Sequence, residues 1–345
     1  MNPSNYRPVA LLPILSKVLE RVVFKQVVKY VESNGLLHPI HHGSRANHST
    51  STAIIEMYDT WIEGIERGEM TGVMMLDLSA AFDLVDHKLL LKKLELLGFD
   101  QQTVVWFWTY LTGRSQCVYI DGKFSDFEQV PVGVPQGSVL GALLYILYVD
   151  DLPEVVHGHG GIGEVQGEGG VKFNMKCCDC GSLCCYVDDS TYMYSSADPA
   201  LLTQKLSEKY KNLAEYMSAN RLVINDGKTH LLVMGTRRHD EFRPEVKINT
   251  GSVVIEPVVT QKLLGINIHQ SLKWKDHIIS NDRSMIKTLR TRLNALSRIS
   301  VNANFKTRLM VANACFMSIL SYMVTVWGGK EEYVITVTSA AMQLA

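Results

Sequence analysis

The sequence Leu183-Cys184-Cys185-Tyr186-Val187-Asp188-Asp189 runs from an apolar segment directly into two acids. The residues that follow, Ser190-Thr191-Tyr192-Met193-Tyr194, are again rich in β-forming types. Both flanks therefore favour strands, with the two aspartates at the bend of a hairpin. Two adjacent carboxylates at the tip of an apolar strand are costly to bury unless cations neutralise them. The pattern thus predicts a metal-binding pair.

The same tetrad also occurs earlier, at Tyr148-Val149-Asp150-Asp151, and only one of the two copies can be the working pair. The earlier copy closes the apolar run 139–149 and is followed by Leu152-Pro153. This is typical of a helix that ends before a proline, where acids are usually solvated. We therefore assign the metal to the later copy. We expect Asp188→Asn to abolish metal-dependent chemistry and Asp150→Asn to leave it nearly unchanged.

A third carboxylate completes the candidate site. An apolar segment at 73–76 ends at Asp77, and a helical pattern resumes at Leu84 and stops at Gly98. Asp77 can meet the hairpin aspartates if the two strands are neighbours in one sheet. Such a carboxylate cluster suits two Mg²⁺ ions about 4 Å apart, one activating a hydroxyl and the other steadying a leaving phosphate. The alternative is that Asp77 is a helix N-cap and the Asp-Asp pair a polar hairpin tip.

Further short motifs precede and follow these acids. In chain order they are Asn5-Tyr6-Arg7-Pro8-Val9, His42-Gly43-Ser44-Arg45, the stretch 77–87, Gly133-Val134-Pro135-Gln136-Gly137-Ser138, Tyr186-Val187-Asp188-Asp189, Asn220-Arg221-Leu222 with Lys228, and Lys262-Leu263-Leu264-Gly265. This series resembles the reverse transcriptase domain of a truncated non-LTR, LINE-like retrotransposon of Jockey type. Three departures are Ser44, where the family usually has Phe, His41, where Gln is common, and Val187, where Ala is commoner.

The resemblance implies an α+β, right-hand polymerase fold with fingers, a palm of antiparallel sheet with helices behind, and a helical thumb. It places N-terminally truncated fingers at 1–70, the palm at 71–268, a basic thumb at 269–330 and an unassigned tail at 331–345. A finger insertion at about 100–130 and a glycine-rich insertion at 157–170 interrupt the palm. The residue pattern predicts helices at 11–32, 52–67, 103–111 and 199–219, and a strand at 72–77.

By the same resemblance, the chain is expected to be an RNA-directed DNA polymerase. It would add deoxynucleotides to a 3′-OH primer on an RNA template by two-metal phosphoryl transfer, with Mg²⁺, or with Mn²⁺ as the alternative ion. The expected partners are the RNA template, a DNA primer, deoxynucleoside triphosphates and an endonuclease from a missing domain or supplied in trans. One alternative is a catalytically silent truncated copy that only binds nucleic acid. Another is a viral RNA-dependent RNA polymerase, which would favour Gly before Asp-Asp and a smaller or polar residue at Phe82.

The resemblance also assigns roles residue by residue. Asp77 and Asp188 would hold both metals, with Asp189 as a partial or more distant ligand. Phe82 would block a 2′-OH, unless it is a core aromatic. The expected nucleotide contacts are Arg45, Leu78, Phe82, Gln136, Gly137 and Lys228. Gln136 and Gly137 are expected to open a helix with free N–H groups, whereas Arg45 and Lys228 could also be ordinary surface cations. Asp86 and His87 are interpreted as structural caps.

The positive charge of the chain is concentrated near its C-terminal end. The net charge is only −1, yet ten Lys or Arg residues stand against two acids between 262 and 308. A subset lies on one helical pattern and is the candidate nucleic-acid contact surface: Arg283, Lys287, Arg290, Arg292 and Arg298. This distribution indicates a lobe that binds a phosphate backbone. A basic, solvated helix face is the alternative.

Cysteine usage and hydropathy bound the remaining possibilities. Five of the seven cysteines fall within 177–185. Zinc sites usually draw two pairs from separate segments, and adjacent cysteines on a strand point to opposite faces, so reduced, partly buried thiols are favoured over zinc. No apolar run approaches the roughly 20 residues of a membrane span, and no signal peptide is evident. We therefore expect an intracellular protein of the cytoplasm or nucleus, without membrane association.

Overall fold

The computed structural model describes residues 9–157, 181–280, 284–299 and 304–329. Residues 5–8 of the first motif, Arg283, the tail and, apart from its first residue, the insertion predicted at 157–170 lie outside the described residues. No helix in the described part is both long and apolar enough to cross a membrane.

Helices account for more of the described chain than strands do. Their bounds are α1 Ile14–Ser33, α2 Thr50–Glu66, α3 His87–Leu96, α4 Gln101–Leu111, α5 Gly141–Tyr148, α6 Leu152–His157, α7 Pro199–Ala219, α8 Met285–Ile299, α9 Phe305–Ala312, α10 Ser318–Leu320 and α11 Val324–Trp327. The predicted helices are confirmed to within a few residues at each end. Helix α2 begins with a capping box, in which Ser49 and Thr52 exchange side-chain and backbone hydrogen bonds.

The strands group into one larger sheet and four two-stranded pieces. Their bounds are β1 Met70–Leu76, β2 Ser115–Gln116, β3 Tyr119–Ile120, β4 Lys123–Phe124, β5 Glu128–Gln129, β6 Ser182–Tyr186, β7 Asp189–Ser196, β8 His230–Met234, β9 Ile248–Asn249, β10 Val254–Ile255, β11 Thr260–Leu263 and β12 Ile266–His269. The larger sheet has the order β6-β7-β1-β8, and each neighbouring pair is antiparallel.

The central strand of this sheet is buried on both faces, since all seven residues of β1 are buried. Met70 and Met74 join a hydrophobic cluster on one face, together with residues of α5 and α7. Val73 and Met75 join a second cluster on the other face, together with Trp61 of α2. The alternation of strand side chains thus divides one sheet between two cores. The predicted α+β architecture is confirmed, with helices on both faces rather than only behind the sheet.

The first Tyr-Val-Asp-Asp tetrad departs from expectation. Helix α5 ends at Tyr148 as predicted, but Leu152-Pro153 begins the next helix, α6. Proline is tolerated there because the first-turn N–H groups have no intrahelical partner. The expectation that the two acids are solvated is wrong for Asp150, whose side chain is only 13% exposed. Asp150 is buried because it contacts His38 and His41, which lie in a loop more than a hundred residues away in the chain.

Candidate active site

The two hairpin aspartates lie at a tight turn between β6 and β7. Tyr186 pairs with Asp189, which leaves Val187 and Asp188 as the two turn residues. Val187 has a φ of 59°, in the left-handed region. A β-branched residue rarely adopts this conformation, which costs roughly 1–3 kcal/mol and persists only where neighbouring structure holds it. The predicted hairpin is confirmed, and its turn is strained.

The sheet register brings Asp77 to the same end as this turn. Leu76, the last residue of β1, pairs with Ser190 of β7. Asp77 follows Leu76 directly and therefore reaches the sheet edge beside Asp189. Asp77 and Asp188 are half-buried, and Asp189 is exposed. The prediction that the two acid-bearing strands are sheet neighbours is confirmed.

The chemistry of these donors suits a hard divalent cation. Carboxylate oxygens are the ligands that Mg²⁺ prefers, and Mg²⁺ commonly takes one or two protein carboxylates together with substrate phosphates and water. Over the described ranges, no group of three His, Cys, Asp or Glu side chains forms a metal centre on its own. Asp77 and Asp188 therefore fit an ion that is shared with a phosphate ligand better than one enclosed by protein.

Phe82 follows Asp77 by five residues. It belongs to a 3₁₀ helix, Ala81–Leu84, and is half-buried. Its ring centroid is 5.3 Å from that of Tyr145 in α5, at an interplanar angle of 42°. Burial, followed by the negative charge of nearby Asp188, raises the pKa of Tyr145 well above its ordinary value. Tyr145 therefore contacts Phe82 and lies near enough to Asp188 for the Asp188 charge to act on it.

Gln136 approaches the same region from another direction. Its Nε2 donates to Asp83 Oδ2 at 2.7 Å, and Val134 N donates to the carbonyl of Phe82 at 2.8 Å. The expectation that Gln136 and Gly137 open a helix with free N–H groups is wrong. Both lie in a turn, and α5 begins four residues after Gly137.

The Glu20 carboxylate accepts hydrogen bonds from the backbone amides that precede α5. The sequence did not reveal this role. One of its carboxylate oxygens, Oε2, accepts from Val139 N at 2.7 Å and from Leu140 N at 3.3 Å. Ser16 Oγ donates to the other oxygen at 3.1 Å. Glu20 is only 1% exposed. The spacing of Ser16 and Glu20 places them on one helix face. The amides that Glu20 caps lie more than a hundred residues away in the chain, so no local sequence pattern indicates the contact.

Arg45 lies in a loop, residues 38–45, that contacts the hairpin carrying Asp188. Its Nη1 donates to the carbonyls of His38 and His41 at 3.1 and 3.3 Å. The same loop carries Gly43, which lies against Val187. Arg45 is thus held near the turn by its own loop, and its contact with a triphosphate stays a prediction.

The turn that carries Lys228 is hydrogen-bonded to the backbone of Asp77. Asn225 N donates to the Asp77 carbonyl at 2.8 Å, and Asp77 N donates to Thr229 Oγ1 at 3.4 Å. Leu78 forms an isolated bridge with Ile224. Lys228 is exposed. The structure therefore brings Leu78 and Lys228 to the end of β1 that bears Asp77.

Asp86 is confirmed as a helix cap next to this site, whereas His87, the first residue of α3, makes a different contact. Asp86 Oδ1 accepts from Leu89 N at 2.9 Å at the start of α3. His87 is buried, and its Nε2 lies 2.8 Å from the Gly133 carbonyl oxygen. Both residues stabilise the backbone between Phe82 and the Gln136 turn.

The basic C-terminal surface is partly described. Helix α8 buries Met285, Ile286 and Leu289. Lys287 and Arg290 are exposed on it. The side chain of Arg292 is also exposed, and its Nη1 donates to the Cys315 carbonyl at 3.0 Å. The Arg298 side chain and all of Arg283 lie outside the described residues.

The described cysteines next to the hairpin are free and buried. Cys184 and Cys185 join different hydrophobic clusters, so they point to opposite faces of β6. Burial raises the pKa of the Cys185 thiol to about 12. These two residues behave as small apolar side chains, as expected, whereas Cys177, Cys178 and Cys180 lie outside the described residues.

Residues 2–268 match the family described as reverse transcriptase (RNA-dependent DNA polymerase). The chain therefore belongs to the reverse transcriptase family. That membership also confirms the predicted right-hand polymerase class of fold, while the bounds of fingers, palm and thumb stay predictions.

The matching relatives come from mobile elements. The chain is 29% identical over 329 residues to the RNA-directed DNA polymerase from mobile element jockey of Drosophila funebris, covering 93% of this chain and 33% of that protein. It is 36% identical over 153 residues to the probable RNA-directed DNA polymerase from transposon X-element of Drosophila melanogaster, covering 44% and 17%. The predicted Jockey-type, non-LTR resemblance is confirmed. The chain spans about a third of the length of the jockey relatives.

Among solved structures, the chain is similar to telomerase from Candida tropicalis in complex with a fragment of telomeric RNA. The TM-score is 0.49 at 11% identity, and the match covers 90% of this chain and 46% of that chain. The fold class rests on the family match and on the sheet itself, because so distant a likeness adds nothing to them.

Proposed function

We propose that this chain is the polymerase portion of an RNA-directed DNA polymerase. It would extend the 3′-OH of a primer with deoxynucleotides on an RNA template. The observation that carries the proposal is the register of the palm sheet. Leu76 pairs with Ser190 and Tyr186 with Asp189, so Asp77 reaches the turn that holds Asp188. In a member of the reverse transcriptase family, this is the arrangement that nucleotidyl transfer requires.

Asp77 and Asp188 would hold two Mg²⁺ ions together with the triphosphate of the incoming nucleotide. When bound, the ions activate the attacking hydroxyl and neutralise the charge on the leaving pyrophosphate. The contribution of the protein residues is to position the reacting groups. The strand ends fix both carboxylates in one place, and a correctly oriented reactant gains much of its rate from that placement alone. Asp189, which is more exposed, would act as a partial or more distant ligand.

Phe82 would select deoxynucleotides over ribonucleotides. Its ring packs against that of Tyr145. It is half-buried, unlike the fully buried Phe107 of the core, so part of it is available to contact a sugar. A rigid apolar ring beside the reacting end of the sheet disfavours a 2′-OH through steric contact and loss of hydration. Arg45, Leu78, Gln136, Gly137 and Lys228 would contact the rest of the nucleotide.

The nucleic acid would be held largely through its phosphates. Helix α8 exposes Lys287 and Arg290 above a buried apolar face. Cations on one side of a helix bind a phosphate backbone without regard to sequence, and they release counterions as they do so. The relatives named as RNA-directed DNA polymerases support RNA as the template. A DNA primer and an endonuclease that supplies it complete the proposed set of partners.

Primer extension on an RNA template in the presence of Mg²⁺ tests the proposal. Wild-type chain should extend the primer, and Asp188→Asn should reduce extension at least about 10²-fold, because one charged ligand is lost at the reacting centre. Asp198→Asn is the matched control. Asp198 caps α7 beyond the opposite end of β7, and Asn caps a helix equally well.

A filter-binding measurement on the same primed template accompanies the assay. Wild-type chain that binds the template without extending it would contradict the polymerase proposal and indicate a chain that only binds nucleic acid. Equal loss of extension in Asp188→Asn and Asp198→Asn would contradict the assignment of the metal pair.

A further inference from the structure

The strained turn of the catalytic hairpin needs support from outside the hairpin. Val187 holds a φ of 59° although it is β-branched. A conformation of this kind persists only where neighbouring atoms over-determine it. The turn itself is two residues long and β6 is an edge strand of its sheet. The support therefore comes from whatever lies along the free edge of β6.

The loop at 38–45 lies along that edge. His42 N donates to the Cys185 carbonyl at 2.9 Å, and Cys185 N donates to the Ile40 carbonyl at 2.9 Å. These bonds add a short parallel bridge to β6, centred on His41 and Cys185. The loop thus supplies the backbone partners that an edge strand lacks. Gly43, the residue after His42, reaches the turn at Val187.

Gly43 makes the direct contact with the turn. A Cβ at this position would lie 2.4 Å from Val187 Cγ2 and 3.1 Å from Val187 N. The loop backbone therefore packs closely against the residue that precedes Asp188. Any displacement of the loop away from β6 removes this contact and frees Val187 to relax.

The loop is held from its other side by Asp150 of the first tetrad. His38 N donates to Asp150 Oδ1 at 2.9 Å, and His41 Nε2 lies 3.6 Å from the same oxygen. Arg45 interacts favourably with the Asp150 charge, and its Nη1 also binds the carbonyls of His38 and His41. His41 is completely buried. One carboxylate thus gathers three residues from both ends of the loop.

We infer that Asp150 is a positioning residue for the catalytic hairpin. It fixes the loop at 38–45, the loop holds Gly43 against Val187, and Val187 sets the place of Asp188. The first tetrad is therefore a support for the second. The effect on synthesis rests on the proposed function, whereas the effect on the hairpin itself does not.

Asp151, the neighbour of Asp150, has different partners and provides a matched control. Lys93 Nζ donates to Asp151 Oδ1 at 2.8 Å, and Tyr216 OH donates to the same oxygen at 2.5 Å. These contacts connect α3 with α7. Both partners belong to these helices and not to the loop, so the loss of Asp151 should loosen the helices and leave the hairpin edge in place.

Amide hydrogen exchange, followed by mass spectrometry of peptides covering 38–45 and 182–190, measures the support directly. Asp150→Ala removes the acceptor for His38 N–H, and exchange in both segments should rise about five- to thirty-fold. Asp150→Asn keeps a carbonyl acceptor for that N–H and should retain most of the protection. Asp151→Ala should leave both segments as in wild type while exchange rises around Lys93 and Tyr216. If Asp150→Ala does not fold, Asp150→Ser, which is too short to reach the loop, replaces it.

Unchanged exchange in both segments of the Asp150→Ala chain would overturn the inference, as would an equal rise in Asp151→Ala. Where wild-type chain is active, Asp150→Ala should also lower kcat/KM for the nucleotide more than Asp151→Ala does at equal thermal stability. A wild-type chain without activity would contradict the proposed function and leave the exchange result to decide the role of Asp150.

Discussion

Gly43 and Val187 touch across the edge of the palm sheet, with the backbone of Gly43 so close that an added Cβ would lie 2.4 Å from Val187 Cγ2. Real side chains do not approach that closely, so either the loop or the turn must move if Gly43 gains a side chain. The contact joins two segments that are more than 140 residues apart and places one directly beside Asp188. Both residues come from the motif series that identifies the family.

Gly43→Ala should therefore lower primer extension, because the new methyl group displaces the turn that carries Asp188. Shortening the opposing side chain should restore part of the activity, since Val187→Ala removes the Cγ2 atom. A double-mutant cycle on kcat/KM should give a favourable coupling of about 1 kcal/mol or more. Gly329→Ala serves as the control, because no atom lies within 4 Å of the added Cβ. Additive effects of the two substitutions would show that the contact does not limit activity.

Phe82→Ala should relax the choice of sugar. Removal of the ring opens space for a 2′-OH next to Tyr145, so the ratio of ribonucleotide to deoxynucleotide incorporation should rise by about 10- to 200-fold. Competition assays with paired ribo- and deoxynucleoside triphosphates measure this ratio. Phe124→Ala, in the separate two-stranded hairpin of β3 and β4, where Phe124 is exposed, should leave the ratio unchanged. An unaltered ratio in Phe82→Ala would mean that Phe82 serves only the core.

Neutralising the basic face of α8 should weaken the salt dependence of nucleic-acid binding. Replacement of Arg283, Lys287 and Arg290 by Gln should flatten the slope of log K against log salt by about 0.9 for each duplex phosphate that the variant no longer neutralises. Arg292→Gln should change the slope less, because the Arg292 guanidinium binds the Cys315 carbonyl. Titrations at several salt concentrations give the slopes. A slope identical to wild type in the triple variant would show that this face meets only water.

The contributions of Asp150 and His41 to the pH dependence of the free energy of unfolding should cancel. Burial raises the pKa of Asp150 to about 6 and lowers the pKa of His41 to about 3. In the unfolded chain the ordinary pKa values are about 3.9 and 6.5. Between pH 4 and 6 the folded pair holds one proton on Asp150 and the unfolded pair holds one on His41. Equal proton numbers give no slope in the free energy of unfolding.

In each single variant, the free energy of unfolding should depend on pH through the one titratable partner that remains. In Asp150→Asn, the unfolded chain still protonates His41 below pH 6.5, so stability should fall as pH drops toward 4. In His41→Gln, the unfolded chain still ionises Asp150 above pH 4, so stability should fall as pH rises to 6. The slope should approach 1.4 kcal/mol per pH unit at most. Urea unfolding of the three chains at pH 4–7 measures it, and parallel curves would contradict the paired titration.

Local patterns in the chain were sufficient for the elements of the site. Apolar, β-forming residues on both sides of Asp188 predict the hairpin, because a strand period of two and a tight turn are encoded by adjacent residues. The end of a strand at Asp77 and the basic face of α8 follow from the same kind of local pattern. The order of the motifs then indicates the family and its class of fold.

Only the tertiary structure decided how the polar residues around these elements are used. The flanks of Asp150 predict a solvated acid, but His38, more than a hundred residues away, donates to it and holds it in the interior. Glu20 caps the turn before α5 over a similar separation, and Gly43 meets Val187. The burial of a charge depends on partners that arrive from remote segments. A helix or strand signal has a span of a few residues, so it cannot carry that information.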